Sequence, residues 1–331
     1  MIPIYPEFVD IHIGLREILH PMFQRLPVGI SEFTFANLYL FQKPHNYKIS
    51  RLNPNSVARL NPNNIKYDSL SKDSASEDGL EILVIIGEDR SKKGDTLKCN
   101  KEKFFMLPFG IPQKQILDQL FDEHLTLKCA SESQADFFLN LGYDVFEDRD
   151  NFDYIYKREH LAELPGRNYH KKRNLIKAFV NNHNYEARPL LEEYLPDALE
   201  ILEKWRENRV ENGNEDGDYG AAKEALEKGE KLQLCGVIYY VEDTPVAYSL
   251  GEELACGKSF VIHFEKAVNG YKGLWQFVNQ AFASIITEHY ETINREQDLG
   301  DEGLRHAKLS YHPTSFVKKY KIKPKTVLDI Q

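Results

Sequence analysis

Cysteine, methionine and tryptophan are scarce in this 331-residue sequence, at 4, 3 and 2 residues. Cys99, Cys129, Cys235 and Cys256 stand singly, with no CxxC pair. That excludes a zinc ribbon and a disulfide framework and points to reduced thiols. Positive charge is not in excess: 42 Lys and Arg against 51 Asp and Glu give −9, which excludes a globally basic nucleic-acid coat. Long apolar runs are absent too. The stretches 82–86 and 237–241 are far too short to span a bilayer. The first residues carry neither a basic n-region nor an apolar h-region. A cytoplasmic location, extending to the membrane periphery, is expected. No metal site and no cofactor are expected.

Hydrophobic residues make up 42% and aromatics 12%, enough for a sizeable core. The length suits two ordinary domains. Residues 11–42 read as helix broken at Pro27-Val28-Gly29, with Ser31 as an N-cap for a second helix. A polar stretch follows, in which an Asn-Pro turn at 51–55 is echoed at 59–63. Strands and helices then alternate. In the second half, 232–241 and 246–254 read as two strands joined by Glu242-Asp243-Thr244-Pro245, a hairpin. Strand 259–266, a long helix at 273–290 and a short strand at 292–295 come next. Both halves run helices into sheet. The expected class is α+β, with one domain at 1–155 and a second, carrying the site, at 156–331.

Two patterns resemble ligand loops and fail on chemistry. Asn212-x-Asn214-x-Asp216-Gly217 opens like a calcium loop, but its twelfth position is Lys223 where a bidentate Glu is needed. Residues 251–259, GEELACGKS, resemble a phosphate-binding loop but join two strands instead of a strand and a helix.

On the strand 259–266, His263 and Glu265 are two apart, so regular alternation puts them on one face, with Ile262 and Phe264 on the other. Residues 294–313 gather carboxylates, arginines, histidines, Lys308 and Tyr311 around two glycines, reading as a functional loop. The strand after the long helix should lie beside the strand before it. That sets Arg295 and Glu296 next to Glu265. Basic residues cluster at 157–177, with Arg167, Lys171 and Lys172 as nucleic-acid contacts, and again at 318–325.

The order of hairpin, third strand, glycine-containing loop and long helix resembles acyltransferases of the GNAT kind. There an acyl donor lies beside the third strand, and the helix N-terminus faces its phosphates. The glycine pattern of the coenzyme A-using members fits neither register at Gly270 nor at Gly273. The string Asn294-Arg-Glu-Gln-Asp-Leu-Gly-x-x-Gly-Leu-Arg-x-x-Lys-x-Ser-Tyr-x-Pro313 resembles the signature of the lysylphosphatidylglycerol synthase C-terminal domain family. Glu32-Phe-Thr-Phe-Ala-Asn-Leu-Tyr39, Tyr154-x-Tyr156, Leu164-x-Gly166, Lys172-Arg173-Asn174 and Phe264-Glu265-Lys266 are similar to its other motifs. The resemblance implies tandem GNAT-like domains, related to the Fem peptidyltransferases. Characterised relatives move an amino acid from aminoacyl-tRNA to a lipid head group. The multi-helix membrane domain of those synthases has no counterpart in this sequence.

The resulting expectation is transfer of an aminoacyl or other activated acyl group to an amine or hydroxyl. Coenzyme A-dependent N-acetylation and ligand binding without turnover are the alternatives. His263, Glu265, Glu296 and Asp298 are the catalytic candidates. Arg173, Asn174, Lys266, Asn294, Arg295, Arg305, Lys308, Tyr311 and His312 are the substrate-binding candidates. Aminoacyl-tRNA is the expected partner.

Overall fold

The structure, a computed structural model, describes residues 1–52, 82–89, 102–211 and 217–325. Cys99, nearly all of the Asn-Pro echo and residues 212–216 of the calcium-like pattern lie outside the described residues.

In chain order the strands are β1 (Val9–Asp10), β2 (Lys48–Arg51), β3 (Leu83–Asp89), β4 (Glu102–Met106), β5 (Leu127–Ala130), β6 (Asp144–Glu147) and β7 (Asp153–Lys157). There follow β8 (Tyr185–Pro189), β9 (Cys235–Val241), β10 (Thr244–Leu254), β11 (Ser259–Ala267), β12 (Thr292–Asn294), β13 (Ser315–Val317) and β14 (Tyr320–Lys323). They form two seven-stranded sheets, β1-β2-β3-β4-β5-β14-β6 and β13-β7-β12-β11-β10-β9-β8. Pairing is antiparallel except at β4–β5 and β11–β12. The α+β reading holds.

The chain divides into two compact units that trade segments. One takes Met1–His20 and the described residues of Phe41–Phe152 and Lys318–Gln331. The other takes Pro21–Leu40 and those of Asp153–Val317. The cut at 155/156 therefore falls inside β7, and a single cut is replaced by two exchanges. Hydrogen bonds explain both. Asp153 at the head of β7 accepts from Ser31 N at 2.8 Å and Ser31 Oγ at 2.9 Å. β14 pairs with both β5 and β6. Ser31 is thus no N-cap. Thr34 Oγ1 accepts from Asn37 N at 3.0 Å and caps the short helix Phe35–Leu40 instead.

The hairpin β9–β10 turns at Glu242 and Asp243, whose φ values are 50° and 65°. Two consecutive left-handed residues match the right-handed twist of the strands they join. Helices His170–Asn182 and Leu274–Ile285 cover one face of the second sheet, packing Phe179, Phe277 and Phe282 on Phe260, Ile262 and Ala267. Ile262 and Ala267 are five apart and share that face. Regular alternation forbids this, and a β-bulge permits it. Leu250 pairs with Phe264 but Gly251 with Ile262, so His263 is the extra residue. A Cβ on Gly251 would lie 2.1 Å from the Val261 carbonyl oxygen, so only glycine fits opposite the bulge.

Candidate functional site

The bulge overturns the expectation that His263 and Glu265 share a face. His263 turns to the side of Glu252, and Glu265 turns to the core side with Ala267. On the first side, His263 Nε2 lies 2.9 Å from Glu252 Oε1, and Nδ1 lies 2.7 Å from Glu296 Oε1. The ring is buried, at 1% exposure. Burial alone would lower its pKa. Hydrogen bonds and charge from both carboxylates outweigh that and hold it up at about 10. His263 is therefore an imidazolium with both nitrogens engaged, not a free base. It fixes Glu296, which Asn37 Nδ2 also approaches at 3.4 Å. Glu296 stays partly open, at 16% side-chain exposure.

Glu296 sits where two strands part. β12 pairs with β11 only from Ser259/Thr292 to Val261/Asn294, and β11 continues to Ala267. Beyond Asn294 the chain stays with β7: Arg295 N donates to the Tyr154 carbonyl at 3.0 Å, and Tyr154 N to the Glu296 carbonyl at 3.2 Å.

On the core side, Arg295 Nη2 lies 3.3 Å from Glu265 Oε1, the adjacency expected from strand order. The Asn279 amide oxygen, turned to face the guanidinium, accepts from Arg295 Nη1 at 3.0 Å. The guanidinium also lies 5.3 Å from the Tyr311 ring centroid. Tyr311 takes Lys172 on its ring at 4.0 Å and gives its carbonyl to Tyr169 Oη at 2.8 Å. Burial pushes the Tyr311 hydroxyl up.

Several expected ligand contacts are internal instead. Asp298 is fully buried, gripped by Arg305 Nε at 2.9 Å and Nη2 at 2.7 Å, Tyr154 Oη at 2.5 Å and Gly300 N at 2.9 Å. Burial raises its pKa, but these donors, Arg305 foremost, carry it well below the usual carboxylate range. Asp298 and Arg305 are an anchor, not a base and an anion receptor. Lys308 spends its ammonium on the carbonyls of Arg295 at 2.7 Å, Glu296 at 3.1 Å and Gln297 at 2.5 Å. Burial, then Arg295, pushes it down to about 8. Asn294, also buried, donates to Gly29 O and Asp153 and accepts from Glu296 N. Lys266 grips Asp218 at 2.6 and 2.7 Å and lies over Trp205. Arg173 holds the carbonyls of Leu164 and Gly166, and Asn174 is exposed beside His170.

Residues 294–313 are not all loop, because Glu302–Leu309 is helical behind an Asp301 cap. Of the basic stretch, Arg167 and Lys171 are exposed, while Lys172 is half-buried and donates to Ser310 Oγ at 2.7 Å. Most of the second basic run is engaged within the fold, Lys325 staying exposed. Lys318 pairs with Glu147, Lys321 with Asp148 and Lys323 with Glu102, and Lys319 is buried. Glu252 and Asn37 were missed. Glu252 lies within the discarded 251–259 pattern, where the hairpin partner of the His263 strand was the available signal.

The family model of the phosphatidylglycerol lysyltransferase C-terminal domain matches residues 98–323. The chain belongs to this family. An uncharacterized protein of Mycoplasmoides gallisepticum is 25% identical over 194 residues, 55% of this chain and 59% of that protein. A conserved protein of unknown function from Bacteroides thetaiotaomicron has a solved structure similar to this one. It is 26% identical, with a TM-score of 0.75 over 98% of this chain and 100% of that one. FemX is 8% identical, with a TM-score of 0.55 over 95% of this chain and 96% of its own, a likeness of fold. The fold is two GNAT-like domains in tandem, and the lysyltransferase-domain family is acyltransferase-like. No helix among the described residues is long and apolar enough to cross a membrane.

Proposed function

We propose that this member of the lysyltransferase-domain family transfers an aminoacyl group from aminoacyl-tRNA, or another activated acyl donor, to an amine or hydroxyl acceptor. The observation that carries the reading is the Glu252–His263–Glu296 line, which ends at a partly open carboxylate where β11 and β12 separate. Two carboxylates and one imidazolium leave the line with one net negative charge. An ammonium is the complementary ligand. The bound ammonium first gives one proton to Glu296; the neutral amine then attacks the donor's carbonyl carbon, the bond to the leaving oxygen breaks, and the proton that the nitrogen sheds ends on that oxygen as a hydroxyl. No covalent enzyme intermediate is needed, because positioning supplies much of the rate.

A second observation weighs against coenzyme A. The N-terminus of helix Leu274–Ile285, where such donors place phosphates, is closed by the helix His170–Asn182. A Cβ on Gly273 would lie 2.1 Å from the Leu175 carbonyl oxygen. A carbonyl oxygen there repels anions instead of binding them.

The test is transfer of radiolabelled amino acid from charged tRNA to lysine, ethanolamine or phosphatidylglycerol vesicles, with acetyl-coenzyme A in parallel. Protein-dependent transfer from tRNA that is lost in Glu296→Gln supports the reading. Turnover with acetyl-coenzyme A alone, or with neither donor, overturns it.

A further inference from the structure

The core side of the second sheet carries three buried polar atoms without a hydrogen-bond partner among the described residues: Tyr239 Oη, Ser249 Oγ and Glu265 Oε2. Tyr239 and Ser249 are 1% and 0% exposed. Buried groups of this kind are nearly always satisfied, and leaving one bare is costly.

Their placement follows from strand register. Ser249 on β10 stands directly opposite Glu265 on β11. On its other flank it pairs with Val237 of β9, and Ala247 pairs with Tyr239, so Tyr239 is diagonal to Ser249 on the same face. Tyr239, Ala247 and Ala267 all belong to that core. β9 and β11 run about 10 Å apart across β10. Two long side chains thus flank a serine, and the space above its short side chain lies between their polar ends. The three groups act on one another. Burial pushes the Tyr239 hydroxyl up, the Glu265 charge adds to that, and Ser249 draws it partly back without the geometry of a hydrogen bond. Phe277 of the helix Leu274–Ile285 covers the site, meeting the Tyr239 ring edge-on with centroids 5.8 Å apart.

Charge and hydrogen-bonding capacity define what fits there. The negative charge of Glu265 is already answered by Arg295 at 3.3 Å. A cation finds no surplus charge, and an anion would face a carboxylate oxygen. Glu265 Oε2 only accepts, whereas each hydroxyl gives one hydrogen and also accepts. We infer that a single buried water sits between Tyr239 Oη, Ser249 Oγ and Glu265 Oε2, donating to the carboxylate and to one hydroxyl and accepting from the other. Three hydrogen bonds are the usual complement of a buried water. The water joins β9, β10 and β11 to Arg295, one residue before Glu296, and stands independently of the acyl-transfer reading.

The test is a crystal structure of the full chain at atomic resolution, with magnetic relaxation dispersion of the water oxygen as its counterpart in solution. The expected density is one water within hydrogen-bond distance of all three atoms. The expected dispersion shows a long-lived internal water that Ser249→Val, whose methyl groups fill the space, no longer holds. Wild-type density decides alone if Ser249→Val fails to fold. A structure in which Tyr239 Oη donates straight to Glu265 Oε2, with no density between them, overturns the inference. So does density with the short oxygen contacts of a metal ion, or a folded Ser249→Val that keeps every long-lived water of the wild type.

Discussion

Arg295 and Glu296 are neighbours in sequence and engage opposite faces of the second sheet. Arg295 meets Glu265 at 3.3 Å on the core side, and Glu296 meets His263 at 2.7 Å on the other. The bulge at His263 makes this possible by shifting the alternation of β11 between His263 and Glu265. One face carries a closed ion pair in the core, and the other carries a partly exposed carboxylate.

Glu296→Gln should reduce transfer about 100-fold or more, the scale expected for loss of a proton acceptor. Gln keeps an oxygen for His263, so the melting temperature should stay within a few degrees. A collapse of the melting temperature together with activity would assign Glu296 to structure instead.

His263 should remain protonated on both nitrogens through pH 8, observable as two slowly exchanging imidazole N–H signals. Its pKa is raised in the folded protein, to about 10. The stability it contributes is therefore complete below the unfolded value near 6.5 and disappears as pH climbs toward 10. Wild-type stability should fall across that window more than that of His263→Gln. Equal slopes would show the imidazolium to be absent.

Arg305→Ala should raise the pH of acid unfolding. Asp298 has a depressed pKa, so its contribution is present above about pH 4 and is drawn down only as pH falls below that. Removing Arg305 takes away its largest donor while Tyr154 and Gly300 remain. A midpoint unchanged by the substitution would remove Asp298 as the anchor.

Lys308→Met should cost about 2–4 kcal/mol in urea unfolding, because three carbonyls lose their shared donor. Transfer should fall as well, since residues 295–297 carry the open carboxylate. A stable variant with lost activity would return Lys308 to substrate binding.

Gly273→Ala should destabilise by about 3 kcal/mol or more, since φ is +88° and the Leu175 carbonyl blocks a Cβ. A fully stable Gly273→Ala protein would mean that the two helices separate readily. The argument against a phosphate there would then lapse.

Much of the second sheet was legible. The hairpin, the strand after it and the long helix follow from alternation, turn residues and amphipathic spacing, which are local. Residues 294–313 were legible as a dense polar stretch, and the position of Arg295 beside Glu265 followed from strand order. What failed was non-local. Alternation placed His263 with Glu265 because a bulge leaves no mark except Gly251 on the partner strand. Lys308 and Lys266 read as ligand contacts, and Asp298 as a catalytic group, because a sequence does not show which charges already face one another. The helix at 302–309 was hidden inside the same polar density.

β14 lies inside the first sheet, between β5 and β6, although some 170 residues separate it from β6. On a ribosome the first sheet cannot close as it is made. β5 and β6 wait with open hydrogen-bonding edges until the whole second unit has been synthesised. Such edges invite pairing with other chains. The order of synthesis thus makes the second unit the earlier to complete, and release of the strand Tyr320–Lys323 becomes the step that ends exposure of the first.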